Sequence, residues 1–66
     1  MKILINGEGV ECGAVRTVDE LVLHHRLGLE TTLVELNGTA LHRREWPTQV
    51  LQENDRLEIL RVAAGG

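Results

Sequence analysis

The last two residues of the chain, Gly65 and Gly66, are the part of the sequence best suited to do chemistry. Glycine has no Cβ atom, so this pair could enter a narrow channel whose walls approach the backbone closely. The terminal carbonyl is also unhindered toward ATP or a sulfur nucleophile. If Gly66 is the natural end of the protein, its carboxylate is the candidate functional group. The structural alternative is a fraying terminus or an expression scar.

The other side chains capable of chemistry, a cysteine and three histidines, are not predicted to act as reactive or metal-binding groups. Cys12 has the same strand parity as Val10, and free cysteines are often buried, so we expect it to fill the core rather than relay sulfur. No Cys, His or carboxylate cluster has the spacing of metal ligands, so we predict no metal site. This excludes such a role for the three histidines, which are His24, His25 and His42.

Size and charge favour a small binding or carrier protein. The chain has 66 residues and a formal charge of −3, which predicts one domain over residues 1–66 with little room for an enclosed active site. It has no basic stripe, so nucleic-acid binding is not expected. There is no apolar run long enough to cross a bilayer and no signal peptide. With a single cysteine, the default prediction is a soluble cytoplasmic protein.

Two hairpins and a final strand are predicted from the pattern of apolar residues. Asn6-Gly7 and Asn37-Gly38 lie between apolar runs, which is a strong hairpin signal. For the first hairpin, turns of two or of four residues give the same face parity. The five predicted strands cover residues 2–5, 10–12, 33–36, 39–41 and 56–62.

One helix is predicted between the hairpins. Thr17 and Glu20 form a capping-box pattern before an apolar run, and acidic residues suit the first turn of a helix. Gly28 is placed to end the helix, with Leu29 as the apolar contact of that cap. The predicted inner face of the helix consists of Val18, Leu21, Val22 and His25.

These elements predict a mixed sheet covered by the helix on one face, with the first and last strands parallel neighbours in the middle. Trp46 is expected to pack over the edge at residues 50–51 rather than contact a partner. The uncovered face carries apolar side chains that predict a partner-binding site, namely Leu4, Leu60 and Val62. The predicted core comprises Ile3, Ile5, Val10, Leu21, Val34, Leu36, Leu57 and Ile59.

Four stretches of the sequence resemble the thiamine-biosynthesis sulfur carrier (ThiS) family: residues 17–21, 36–38, 43–47 and 53–66. The resemblance covers essentially the whole chain. The element order is that of the ubiquitin-like β-grasp fold. We therefore expect an α+β protein with a mixed four- to five-stranded sheet, one main helix packed on one face, and a flexible tail at 63–66.

The resemblance implies a chemistry centred on Gly66. A ThiF-type adenylating enzyme would use ATP to activate the Gly66 carboxylate, and a sulfur donor enzyme would convert it to a thiocarboxylate. A ThiG-type thiazole synthase would then accept the sulfur. The tail residues Ala63, Ala64 and Gly65 would lie in the partner's channel. The protein itself would be no enzyme, with no catalytic residues and no bound cofactor, because the catalytic groups would belong to its partners.

Three alternatives remain open from the sequence. The chain could be a molybdopterin-synthase-type carrier or a tRNA-thiolation carrier, since both end in Gly-Gly on a β-grasp strand. It could also be a non-reactive β-grasp interaction module. A carrier needs a free C-terminal Gly66, whereas an interaction module tolerates extension beyond it.

Overall fold

The computed structural model describes residues 1–24 and 32–61. This part of the chain holds five strands, one α-helix and one 3₁₀ helix. They are β1 (Lys2–Ile5), β2 (Glu8–Glu11), α1 (Val18–His24), β3 (Thr32–Leu36), β4 (Thr39–Leu41), the 3₁₀ helix (Arg43–Thr48) and β5 (Arg56–Arg61). A single domain over 1–66 with a flexible tail at 63–66 stays a prediction.

The five strands form one sheet in the order β2-β1-β5-β3-β4. β1 and β5 are parallel at its centre, and the other neighbouring strands are antiparallel. The predicted mixed sheet with parallel first and last strands is therefore confirmed. Helix α1 packs its buried side chains against one face of this sheet.

Both hairpins turn through two residues with left-handed backbone. Asn6 and Gly7 have φ of 50° and 85°, and Asn37 and Gly38 have φ of 51° and 88°. Two positive φ values in succession define the type I′ turn, whose twist matches that of the flanking strands. The structure thus selects the two-residue turn from the two lengths that the sequence left open for the first hairpin.

The start of α1 follows the predicted capping box. The Thr17 N–H donates to Oε1 of Glu20 at 3.0 Å, and the Glu20 N–H donates to Oγ1 of Thr17 at 3.2 Å. These bonds satisfy donors that a helix start leaves without intrahelical partners. The predicted helix end, with His25, Gly28 and Leu29, lies outside the described residues.

The core between α1 and the sheet agrees with the predicted face parity. Of the eight predicted core residues, five are buried, while Ile5 and Leu36 are half-buried and pack against them. Val10 is also only half-buried, because β2 is an edge strand of the sheet. The buried hydrophobic residues are Ile3, Cys12, Val18, Leu21, Val22, Val34, Trp46, Leu51, Leu57 and Ile59.

Trp46 belongs to this core. It is 1% exposed, so the alternative of a partner contact is wrong for this side chain. In the edge at residues 50–51, over which Trp46 was expected to pack, Leu51 is buried and Val50 is 59% exposed. Val50 lies opposite Thr17 in an isolated β-bridge. Neighbouring residues make the hydrogen bonds of this bridge: the Val18 N–H donates to the Gln49 carbonyl at 3.0 Å, and the Leu51 N–H donates to the Arg16 carbonyl at 2.8 Å.

Candidate functional site

Strand β5 leads toward the candidate reactive group. Its Leu57 and Ile59 side chains are buried under α1, and its last residue, Arg61, lies five positions before Gly66 in the sequence. The end of the chain therefore follows directly from a central strand. Five predicted site residues come after Arg61 and lie outside the described part of the chain, where they stay predictions: Val62, Ala63, Ala64, Gly65 and Gly66.

On its β1 side, β5 is held partly by a side chain. The Asn6 N–H donates to the Leu57 carbonyl at 2.8 Å. Asn6 then bonds both backbone groups of Ile59 through its amide: Nδ2 donates to the Ile59 carbonyl at 3.0 Å, and Oδ1 accepts from the Ile59 N–H at 2.7 Å. The amide thus continues the ladder at the point where β1 has ended.

On its β3 side, β5 is held at its start by the asparagine of the second hairpin. The Asn37 N–H donates to the Arg56 carbonyl at 2.8 Å, and Asn37 Oδ1 accepts from the Arg56 N–H at 2.9 Å. Its Nδ2 group donates to Oδ1 of Asp55 at 3.1 Å. The two hairpin asparagines therefore hold β5 from opposite sides, Asn37 at its first residue, Arg56, and Asn6 further along at Ile59.

The face of the sheet opposite α1 carries exposed leucines. Leu60 is 56% exposed and Leu33 is 57% exposed, and the two are register partners on β5 and β3. Leu4 is half-buried and lies on the same face of β1. The structure thus places two of the predicted face residues, Leu4 and Leu60, on one surface. We call Leu4, Leu33 and Leu60 the leucine face.

Leu33 was missed in the sequence analysis, although a signal for it was present. Val34 and Leu36 were assigned to the core, and alternation along a strand then turns Leu33 to the opposite face. That assignment could be made from the sequence. What the sequence did not provide was the register that sets Leu33 beside Leu60.

An acidic pair borders the leucine face. Glu35 and Glu58 are register partners two residues along the same two strands from Leu33 and Leu60, and so lie on the same face of the sheet. Both are exposed, and neither forms an ion pair with another described residue. Like charges directly opposite each other in a sheet are destabilising, so a cation brought to this position would relieve their repulsion.

Cys12 does not have the character of a reactive thiol. It is buried, and burial raises the pKa of its thiol, which disfavours the nucleophilic thiolate. The predicted role of Cys12 as core filler is therefore confirmed. Among residues 1–24 and 32–61, no group of three or more candidate ligands is placed to hold a metal ion. In the same ranges, no helix has the length and apolar character to span a membrane.

A five-stranded mixed sheet with one helix, whose central strand leads to Gly-Gly, defines a protein of the ubiquitin-like β-grasp class. The family model described as "ThiS family" matches residues 3–66. The chain belongs to the ThiS family. The predicted family and fold are thus confirmed, and so is the functional class, a sulfur carrier of thiamine biosynthesis.

Individual relatives agree with this assignment. The chain is 29% identical to the sulfur carrier protein ThiS of Escherichia coli K12, covering all of both chains. It is 33% identical to a thiazole synthase of Magnetococcus marinus over 66 residues, which are 20% of that protein. The crystal structure of the thiamine biosynthesis protein ThiS from Geobacter metallireducens superposes with a TM-score of 0.83 at 28% identity, with both chains fully covered.

Proposed function

We propose that the protein carries sulfur on Gly66 and delivers it for synthesis of the thiazole ring of thiamine. A partner enzyme adenylates the Gly66 carboxylate with ATP, releasing pyrophosphate. Sulfur at the oxidation level of sulfide, supplied by a donor enzyme, then attacks the adenylate carbonyl and displaces AMP, and Gly66 is left as a thiocarboxylate. If the sulfur arrives as a persulfide of the donor enzyme, the product is an acyl disulfide, and a thiol must reduce its S–S bond to release the thiocarboxylate. The observation that carries this proposal is the family match, which extends through the terminal glycines.

The need for activation explains why partners would supply the catalytic groups. A carboxylate is a poor electrophile because oxide is a poor leaving group. In the adenylate, the leaving group is AMP, which is a good one. The developing oxyanion needs fixed donors in a site from which water is excluded. A chain of 66 residues leaves little room for such a site beside its core. The protein would contribute a carboxylate on a narrow arm, with Ala63, Ala64 and Gly65 lying in the partner's channel.

The leucine face is the surface we propose for docking the adenylating enzyme. Leu33 and Leu60 expose more than half of their surface beside each other, and Leu60 lies on the strand that leads to Gly66. A partner seated here would receive the tail close to its own surface. Glu35 and Glu58 favour a partner that places a lysine or arginine beside its apolar contact, because such a residue relieves the repulsion of that pair.

Thiazole synthase is the proposed acceptor. A thiazole synthase of Magnetococcus marinus contains a stretch similar to the whole of this chain. Two proteins that act in succession are sometimes fused in one chain. Such a fusion supports binding between the two proteins where they are separate chains. The cytoplasm remains the compartment that we predict for this exchange.

The experiment is intact mass spectrometry after incubation with the adenylating enzyme, ATP and a sulfur source. Conversion of –COO⁻ to –COS⁻ exchanges one oxygen for one sulfur and raises the mass by about 16 Da after displacement of AMP. Oxidation of Met1 or Cys12 gives nearly the same shift. We expect the gain to require ATP and to map to Gly66 by fragmentation.

Two variants complete this experiment. Deletion of Gly66, or addition of one residue after it, should abolish loading while the melting temperature is unchanged. A gain of mass by the extended chain, or a gain that maps to Cys12, would contradict the carrier mechanism. It would favour the non-reactive interaction module instead.

A further inference from the structure

In the parallel pairing of β1 with β5, a side chain replaces a backbone group as the partner of Ile59. In a regular ladder, the carbonyl of Asn6 would accept from the N–H of Ile59. The left-handed turn at Asn6, with φ of 50°, redirects the main chain into β2. The Asn6 side chain replaces that carbonyl as the partner of Ile59: its Oδ1 accepts from the Ile59 N–H at 2.7 Å, and its Nδ2 donates to the Ile59 carbonyl at 3.0 Å.

The Asn6 amide lies just beyond the end of the pairing between β1 and β5. β1 ends at Ile5 and its register with β5 reaches only Leu57, whereas β5 runs on to Arg61. Among the described residues, it is therefore the Asn6 side chain that bonds the β1-facing side of β5 beyond Leu57. The opposite side stays paired with β3 as far as Arg61.

We propose that Asn6 is a positioning residue for the activation of Gly66. This inference rests on the proposed function. The Asn6 amide bonds both the N–H and the carbonyl of Ile59, and thereby holds in the sheet the strand that leads to the tail. Asn6 contacts no reacting atom. It raises the fraction of molecules whose tail is aligned with the partner's channel before docking.

The alternative is that Asn6 contributes only to stability, and the chain offers a matched control for it. Asn37 occupies the same position in the same type of turn and also clamps a β5 backbone N–H, that of Arg56 at 2.9 Å. Arg56 is the first residue of β5, at the end remote from Gly66. The variants Asn6→Gly and Asn37→Gly both place glycine at a position of positive φ. Glycine adopts positive φ readily, so both variants should fold.

The experiment measures ATP–pyrophosphate exchange by the adenylating enzyme with each carrier as substrate. If the aligned fraction falls to about one fifth in Asn6→Gly, the KM for the carrier rises about fivefold. The kcat stays within about twofold, because a tail already seated in the channel is held by the partner. Asn37→Gly should keep the wild-type KM and kcat. Exchange of the Ile59 amide proton should accelerate in Asn6→Gly and not in Asn37→Gly.

The outcomes separate this inference from the proposed function. Equal KM values for the two variants, or a fall in kcat alone for Asn6→Gly, would overturn the positioning role while leaving the carrier function intact. A wild-type carrier that supports no ATP–pyrophosphate exchange would overturn the proposed function, and the positioning role with it.

Discussion

Replacing Leu60 by aspartate tests whether the leucine face docks the adenylating enzyme. Leu60 is 56% exposed, and burying a whole leucine side chain contributes about 2 kcal/mol. Covering its exposed part in a complex therefore contributes about 1 kcal/mol. In Leu60→Asp that contact is lost, and a carboxylate must be desolvated beside Glu58, which costs at least another 1 kcal/mol or so. Affinity should fall by about 30-fold or more.

The same exposure predicts a mild effect on folding. Less than half of the Leu60 surface is buried in the free protein, and its cross-strand contact with Leu33 contributes about 0.2–1 kcal/mol. We expect the free energy of unfolding to fall by about 1–2 kcal/mol. Such a loss leaves the protein folded at room temperature if its stability is that of an ordinary small domain.

The matched control is Leu23→Asp. Leu23 is 55% exposed and lies on α1, on the other side of the sheet, so this variant makes the same change of charge and polarity away from the leucine face. Isothermal titration with the adenylating enzyme should show weak binding for Leu60→Asp and wild-type affinity for Leu23→Asp. Equal affinities for the two variants would refute the assignment of the docking surface.

Three further predictions concern the tail and the helix start. Gly65→Val should block adenylation, because a branched Cβ obstructs a narrow channel, while the melting temperature stays that of the wild type; adenylation at the native rate would rule out a tight channel. Thr17→Ala removes the acceptor at 3.2 Å from the Glu20 N–H and should lower the free energy of unfolding by about 1 kcal/mol in denaturant titrations. Backbone donors of Arg16 and Thr17 lower the pKa of Glu20, so the carboxylate contributes stability that is present above its unfolded pKa and lost as pH falls through its folded pKa. Glu20→Gln should be less stable than the wild type at neutral pH, and the difference should shrink below about pH 4; a difference independent of pH would contradict this.

The sequence predicted the fold well because its signals are local. Each Asn-Gly pair specifies a turn with two positive φ values, and Thr17 with Glu20 specifies a helix start by bonds three residues apart. Apolar alternation then assigned each strand a core face. These local choices agree with one another and with a single way of closing the sheet, so the topology followed from them.

Features that depend on register were harder to predict. The bonds between Asn6 and Ile59 join residues 53 positions apart. The Asn-Gly pattern predicts a turn, but it does not predict that the asparagine side chain will bond the backbone of a strand remote in sequence. The pairing of Leu33 with Leu60 depends likewise on how β3 and β5 align. Val10 was assigned to the core by parity alone, and parity does not reveal that β2 lies at the edge of the sheet.

Register also links the core of this protein to its proposed function. Leu57 and Ile59 face the helix while Leu60, between them and the tail, faces the proposed docking surface. A slip of β5 by one residue would turn the first two outward and Leu60 inward, and it would move the start of the tail along the sheet as well. Asn6 and Asn37 bond β5 at Ile59 and Arg56, so each opposes such a slip from a different neighbour. The hairpin asparagines thereby fix the register that sets both the core and the leucine face.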